Sequence, residues 1–268
     1  MRYSFRGSMA NMAAVLSLAA VGMMGQTARI PRMPDGHPNL NGIWQTMNTA
    51  DWDLEAHAAG PSLVVDLGAE GAEPGGLSVV EGGTIPYLPA ALEKKKQNYA
   101  NRLKADPEIR CYLPGVPRAT YLPYPFQIFQ SASAITIAYE YDSAFRNLYL
   151  KDPGPAPADS WMGQSVAHWD HDTLVVDVTG MDERTWLDRA GDFHSDALHV
   201  VERYTPVNEY IINYEATIED AKVFSRPWKI SMPLYKHTEK NAQLLEFKCV
   251  EFVEDLMYGK YKKEPDKK

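Results

Sequence analysis

From residue 135 to residue 252 the chain is a succession of short runs in which apolar and polar side chains alternate, and this pattern limits the fold more than any other feature. Ile135, Ile137, Tyr139 and Tyr141 alternate with Thr136, Ala138 and Glu140, while Phe145, Asn147 and Tyr149 alternate with Arg146, Leu148 and Leu150. A period of two places successive side chains on opposite faces, as in a strand with one face buried. Further runs lie at 161–169, 173–179, 198–204, 210–218, 228–234 and 244–252, which makes about eight strands. Most are separated by short turn signals, so sequential antiparallel pairing is the simplest topology. Closure removes exposed edges, and the pattern therefore predicts a mainly β, antiparallel up-and-down barrel rather than a sandwich.

The part before residue 135 reads differently. Pro31, Pro34, Asp35, Gly36 and Pro38 make a turn-rich lead into a short strand at 43–46, and the Gly42-Ile43-Trp44 tripeptide resembles the G-x-W of lipocalin first strands, so the expected barrel is lipocalin-like. Residues up to 84 hold many glycines and little pattern; they read as an irregular excursion with a hairpin at 81–84 between runs 77–80 and 85–88. One surface helix is predicted over 89–104: Pro89 suits a first turn, and Leu92, Tyr99 and Leu103 recur as a narrow apolar stripe. Asp106-Pro107 ends it. The proline-rich stretch 111–130 reads as a rigid loop that holds Arg118 among tyrosines.

Arg2 and Arg6, an apolar run over 9–24 and the lack of any acid before Asp35 predict a signal peptide over residues 1–25, with an uncleaved anchor as the alternative. The run is shorter than the roughly 20 residues of a membrane span, so no stable membrane insertion is expected after cleavage. The protein is expected to be exported, periplasmic or extracellular, with one β-rich domain over 26–258 and a basic tail over 259–268. Without residues 1–25, which carry two arginines and no acid, 25 basic side chains face 35 acidic ones, a net charge of −10. Such a balance opposes nucleic-acid binding, which needs a basic face. Cys111 and Cys249 either pair in an oxidising compartment or remain buried thiols. Two cysteines are too few for a cysteine-rich zinc module.

The motifs PDGHPNLNGIW, VVEGGTIPYLP, DPEIRCYLPGVPR and WDHDTLVVDVTG, in that order along nearly the whole mature chain, resemble a large family of secreted soil-bacterial proteins, mostly labelled hypothetical. The resemblance implies one secreted domain and no particular chemistry. Similar members often carry glycine where this chain has His171.

Residues 180–204 concentrate groups capable of chemistry: His194, His199, Asp188 and Glu202 among other carboxylates, three arginines and Trp186. A metal centre on His194, His199 and Glu202 is opposed by alternation, since His199 and Arg203 face one side of the strand and Glu202 the other. His168 and His171 with Asp170 and Asp172 read as a hairpin turn rather than ligands. No metal and no other cofactor is therefore expected. Gly163-Gln164-Ser165-Val166-Ala167 resembles a nucleophile elbow, but it continues into a strand instead of a helix.

An acid/base arrangement fits better, with His194, Asp188 and Glu202 as catalytic residues. Arg118, Arg203, Tyr121, Tyr124, Trp161 and Trp186 are the expected substrate-binding residues. The sequence thus predicts a cofactor-independent lyase, hydratase or isomerase acting on a small aromatic or terpenoid-like molecule in a barrel mouth. The alternatives are a secreted small-molecule-binding protein without chemistry, and a hydrolase using Ser165 or a bound metal. The same polar groups would also serve as a structural network.

Overall fold

A computed structural model describes residues 30–61, 72–253 and 260. The expected leader and most of the basic tail lie outside the described residues. Nine strands close into a barrel in sequence order: β1 (Gly42–Thr46), β2 (Phe126–Gln130), β3 (Ile135–Tyr139), β4 (Phe145–Tyr149), β5 (Gln164–Asp170), β6 (Thr173–Thr179), β7 (His199–Pro206), β8 (Ile211–Glu219) and β9 (Trp228–Lys236). β9 returns to β1, with Trp44 opposite Lys236, so no sheet edge is left open.

The alternation places the side chains as expected. In β7, Val200, Glu202, Tyr204 and Pro206 point inward and are buried, while His199 and Arg203 stand on the outer face. Ile212, Tyr214, Ala216 and Ile218 of β8 and Trp228, Ile230, Met232 and Leu234 of β9 complete this side of the core. The β5–β6 turn carries His171 with φ of +53°, the left-handed conformation a tight hairpin requires. At that position glycine would be unstrained.

Four expectations are corrected, and the two alternatives left open for the cysteines are resolved. β4 and β5 pair in parallel, Leu148 opposite Ser165, because residues 150–163 carry the chain back across the barrel instead of turning it in a hairpin. β2 forms within the stretch expected to be a loop: its prolines stop at Pro125, and Phe126, Ile128 and Gln130 then alternate inward. Residues 244–252 form no strand, since β9 is already closed by β1; Phe247 instead packs on Tyr124 and Tyr141. Cys249 is bridged to Cys111 across 138 residues, with Cα atoms 5.6 Å apart. The expected hairpin around Gly82 is also replaced: Glu81 N–H donates to Lys229 O and Ser231 N–H to Val79 O, which uses the part of β9 that β1 does not reach.

Helix α1 (Pro89–Ala105) forms on the surface where expected, and its covered face is not the apolar stripe. Leu92, Tyr99 and Leu103 are exposed, whereas Ala91, Lys95, Asn98 and Arg102 form the covered face at helical spacing. The helix turns a polar face inward because carboxylates and carbonyls lie beneath it. A second helix, α2 (Arg118–Tyr121), is a single turn.

Candidate functional site

Two loop segments, 51–57 and 187–192, run side by side beneath α1. Arg189 N–H donates to Asp51 O (2.9 Å), and Leu54 N–H donates to Asp188 Oδ2 (2.9 Å). Asp188 Oδ1 accepts Asp192 N–H (3.0 Å), so one carboxylate organises both segments. Asn98 of α1 donates to Gly191 O (3.1 Å). Gly191 has φ of +85°, and a Cβ there would lie 2.7 Å from Asn98 Cβ and 2.8 Å from Tyr99 N. Gly191→Ala is accordingly expected to cost about 1–3 kcal/mol, from positive φ and from helix displacement. Thermal unfolding checks this, and a midpoint equal to wild type would contradict the packing described.

Behind this contact is a buried charge cluster. Arg118 donates to both oxygens of Asp106 (2.9 Å each) and to Glu108 Oε2 (2.6 Å), with Asp51 3.6 Å away. Arg189 forks onto Glu108 (2.9 and 2.7 Å) and lies 3.4 Å from Asp51. Burial, the largest influence on Glu108, works upward, but Arg189 and Arg118 outweigh it and hold this carboxyl down at about 2. Asp51 goes the other way: burial and then Glu108 push it up to about 7 against Arg189 and Arg118. Neither Asp51 oxygen has a hydrogen-bond partner among the described residues. Two guanidiniums and three carboxylates balance when Asp51 keeps its proton.

The pH dependence of stability follows. Glu108 is lower in the fold than its ordinary 4.5, so its contribution is present above that value and is lost as pH falls toward about 2. Asp51 is higher in the fold than its ordinary 3.8, so it stabilises below that value and loses its contribution as pH rises through about 7. The contribution of this pair to stability is expected to be greatest at about pH 4–5 and to decline both toward about pH 2 and toward about pH 7. Denaturant unfolding across this range checks it; a steady rise from acid to neutral pH would contradict it.

A small cleft opens beside the cluster, lined among others by Trp52, Asp53, His57, Tyr99, Arg102 and Arg189, with a volume of about 60 Å³. Arg189 lies over the Trp52 ring (4.6 Å) and Arg102 over the Tyr99 ring (4.2 Å). Arg102 is also held by Glu73 (2.8 Å). His57 Nδ1 lies 2.8 Å from Glu55 O. A carbonyl only accepts, so Nδ1 carries a proton, and in the neutral ring Nε2 is the nitrogen with the lone pair. Nε2 is buried and has no partner among the described residues. The backbone of His57 is fixed by a reciprocal pair of hydrogen bonds with Gly76 (3.1 and 3.0 Å).

The residues expected from sequence are distributed over several places. His194 is buried, with Nδ1 donating to Ser195 O (2.8 Å) and Nε2 accepting from the Thr185 hydroxyl (2.5 Å). Burial, the largest influence, moves its pKa down, which favours the neutral ring. Glu202 lies inside the barrel, ion-paired with Arg146 and accepting from Tyr204 (3.1 Å) and Tyr214 (2.8 Å). Asp188 belongs to the loop pair under α1, so these three do not share partners. Ser165 is also inside the barrel, in mid-strand, where it accepts from Arg146 Nε (2.7 Å).

Arg118 is fully enclosed by its carboxylates, and Arg203 pairs with Asp170 (2.9 Å) on the outer face. Tyr121 donates to Leu187 O (2.6 Å), which ties α2 to the loop. Tyr124 packs on Tyr141, Trp161 stacks on Tyr112, and Trp186 pairs with Phe193 through a backbone bridge. The structure thus brings Asp188 and Arg118 to the neighbourhood of the cleft and leaves His194, Glu202, Arg203 and Trp161 in other environments. Sequence reading missed His57, although the titratable run Asp51-Trp52-Asp53-Leu54-Glu55-Ala56-His57 carried the signal. No family model, curated protein or solved structure matches the chain.

Proposed function

We propose that this protein is an acid/base enzyme of the lyase, hydratase or isomerase type, working on a small anionic molecule in the cleft between α1 and residues 51–57. One observation carries the reading: His57 Nδ1 donates to Glu55 O, and its Nε2 is buried with no partner among the described residues. A neutral imidazole of fixed tautomer is suited to accept a proton from carbon or oxygen. Arg189 and Arg102 supply positive charge for a carboxylate, and Trp52 and Tyr99 supply flat walls. A cleft of about 60 Å³ is small, so a small acid fits better than a terpenoid. We also read the protein as exported, and the Cys111–Cys249 bridge supports that reading.

The test is a titration of the full chain with a panel of small carboxylic acids, followed by NMR of the Trp52 indole N–H. Saturable shifts weakened about tenfold in Arg102→Gln are expected; shifts confined to tryptophans outside the cleft would overturn the placement. The engaged state of both arginines also favours a binding protein without chemistry. Quantitative recovery of every bound acid unchanged would select that reading.

A further inference from the structure

We propose that Asp53, Asp188 and Asp192 form a binding site for a hard divalent cation, Ca²⁺ in particular, beside the cleft that Asp53 lines. One oxygen of each lies within 4.8 Å of the others. That is the span of ligands around Ca²⁺, whose oxygens stand about 2.3–2.6 Å from the ion. All three donors are carboxylates, which suit Ca²⁺ or Mg²⁺ rather than a soft metal.

The second observation is independent of the clustering. Asp192 is 1% exposed, its Oδ1 accepts the Tyr87 hydroxyl (2.8 Å), and its Oδ2 is buried with no hydrogen-bond partner among the described residues. An ionised carboxylate oxygen left so is costly, and a cation satisfies it. The first shell is also oriented in advance. Asp188 is held by Leu54 N–H and Asp192 N–H, and Asp53 Oδ1 by Glu55 N–H (2.8 Å), each oxygen keeping a further lone pair.

The nearest competing charge is Lys95 of α1, whose Nζ stands 3.8 Å from Asp192 Oδ2, beyond hydrogen-bonding range. Lys95 is partly solvent-exposed, so an entering cation displaces it outward along the helix surface.

The inference does not rest on the acid/base reading, because its test measures binding and no turnover. The full chain is titrated with Tb³⁺, which is excited through the neighbouring Trp52 and Tyr87, and Ca²⁺ or Mg²⁺ is then added to displace it. Wild type is expected to give one saturable, Ca²⁺-displaceable site and a raised melting temperature in Ca²⁺. Asp53→Asn, at the accessible edge, is expected to bind at least tenfold more weakly, and Asp192→Asn likewise if it folds. Lys95→Met, which removes the competitor, is expected to bind more tightly. Asp182→Asn, an acid outside the trio, serves as the control and is expected to bind as wild type. Non-saturable Tb³⁺ emission in wild type, or equal affinity in Asp53→Asn, would overturn the proposal and leave a proton shared by Asp188 and Asp192 as the answer to the buried charge.

Discussion

Arg118→Met is expected to lower the unfolding free energy by about 3–5 kcal/mol, the usual cost of removing one partner from a buried ion network. For a domain of this size that corresponds to a melting temperature lower by roughly 10 °C or more. The reason is the imbalance left behind. Asp106 loses both guanidinium contacts, Glu108 keeps only Arg189, and Asp51 keeps only a 3.4 Å approach to the same side chain. Methionine fills the volume without the charge, so the variant isolates electrostatics from packing. Thermal and denaturant unfolding read the outcome directly, and a loss below about 1 kcal/mol would show that the carboxylates reorganise into water. The same variant bears on the cleft, because Arg189 is positioned by the shared Glu108.

His57→Gln is expected to reduce turnover of any small acid the wild type converts by about 10²- to 10⁴-fold, the range for removal of a general acid/base. Glutamine retains an N–H able to donate to Glu55 O but cannot take up a proton. Binding relies on Arg189, Arg102 and the aromatic walls, so KM is expected to change little while kcat falls. The melting temperature is expected to stay close to wild type, since His57 is only half-buried and its Nε2 makes no hydrogen bond among the described residues. A parallel loss of stability and activity would instead assign His57 a structural role.

Much of the barrel could be read from period-two alternation, because a strand's inner face must bury its side chains regardless of partner. Glu202, Val200 and Tyr204 were therefore assigned to one face correctly, and His199 and Arg203 to the other. The same rule failed at 244–252, where alternation was present but no free edge remained to pair with it. Alternation records a face and says nothing of a hydrogen-bonding neighbour. It also failed for β2, where prolines just before Phe126 masked a strand.

The site was less legible for a different reason. The narrow stripe Leu92, Tyr99 and Leu103 marks α1 as a surface helix, but it does not tell which face is covered. Here the surface beneath the helix is Gly191 O and Asp192, so Asn98 and Lys95 are drawn inward and the stripe faces solvent. That surface is assembled from segments 51–57 and 187–192, about 130 residues apart in sequence, and no local pattern announces such a meeting. The loop alone makes Asp188 a candidate residue. It does not single out the partners Leu54 and Asp192, which explain how the position of Asp188 is fixed.

Hydrogen exchange at carbon tests the central claim most directly. The protein is incubated in D₂O with small carboxylic acids bearing a hydrogen next to a carbonyl or carboxylate, and proton NMR follows that hydrogen. Wild type is expected to wash the signal out for at least one acid, while His57→Gln and the protein-free control retain it. Retention of the signal by wild type for every acid, or equally fast wash-out by His57→Gln, would contradict the account.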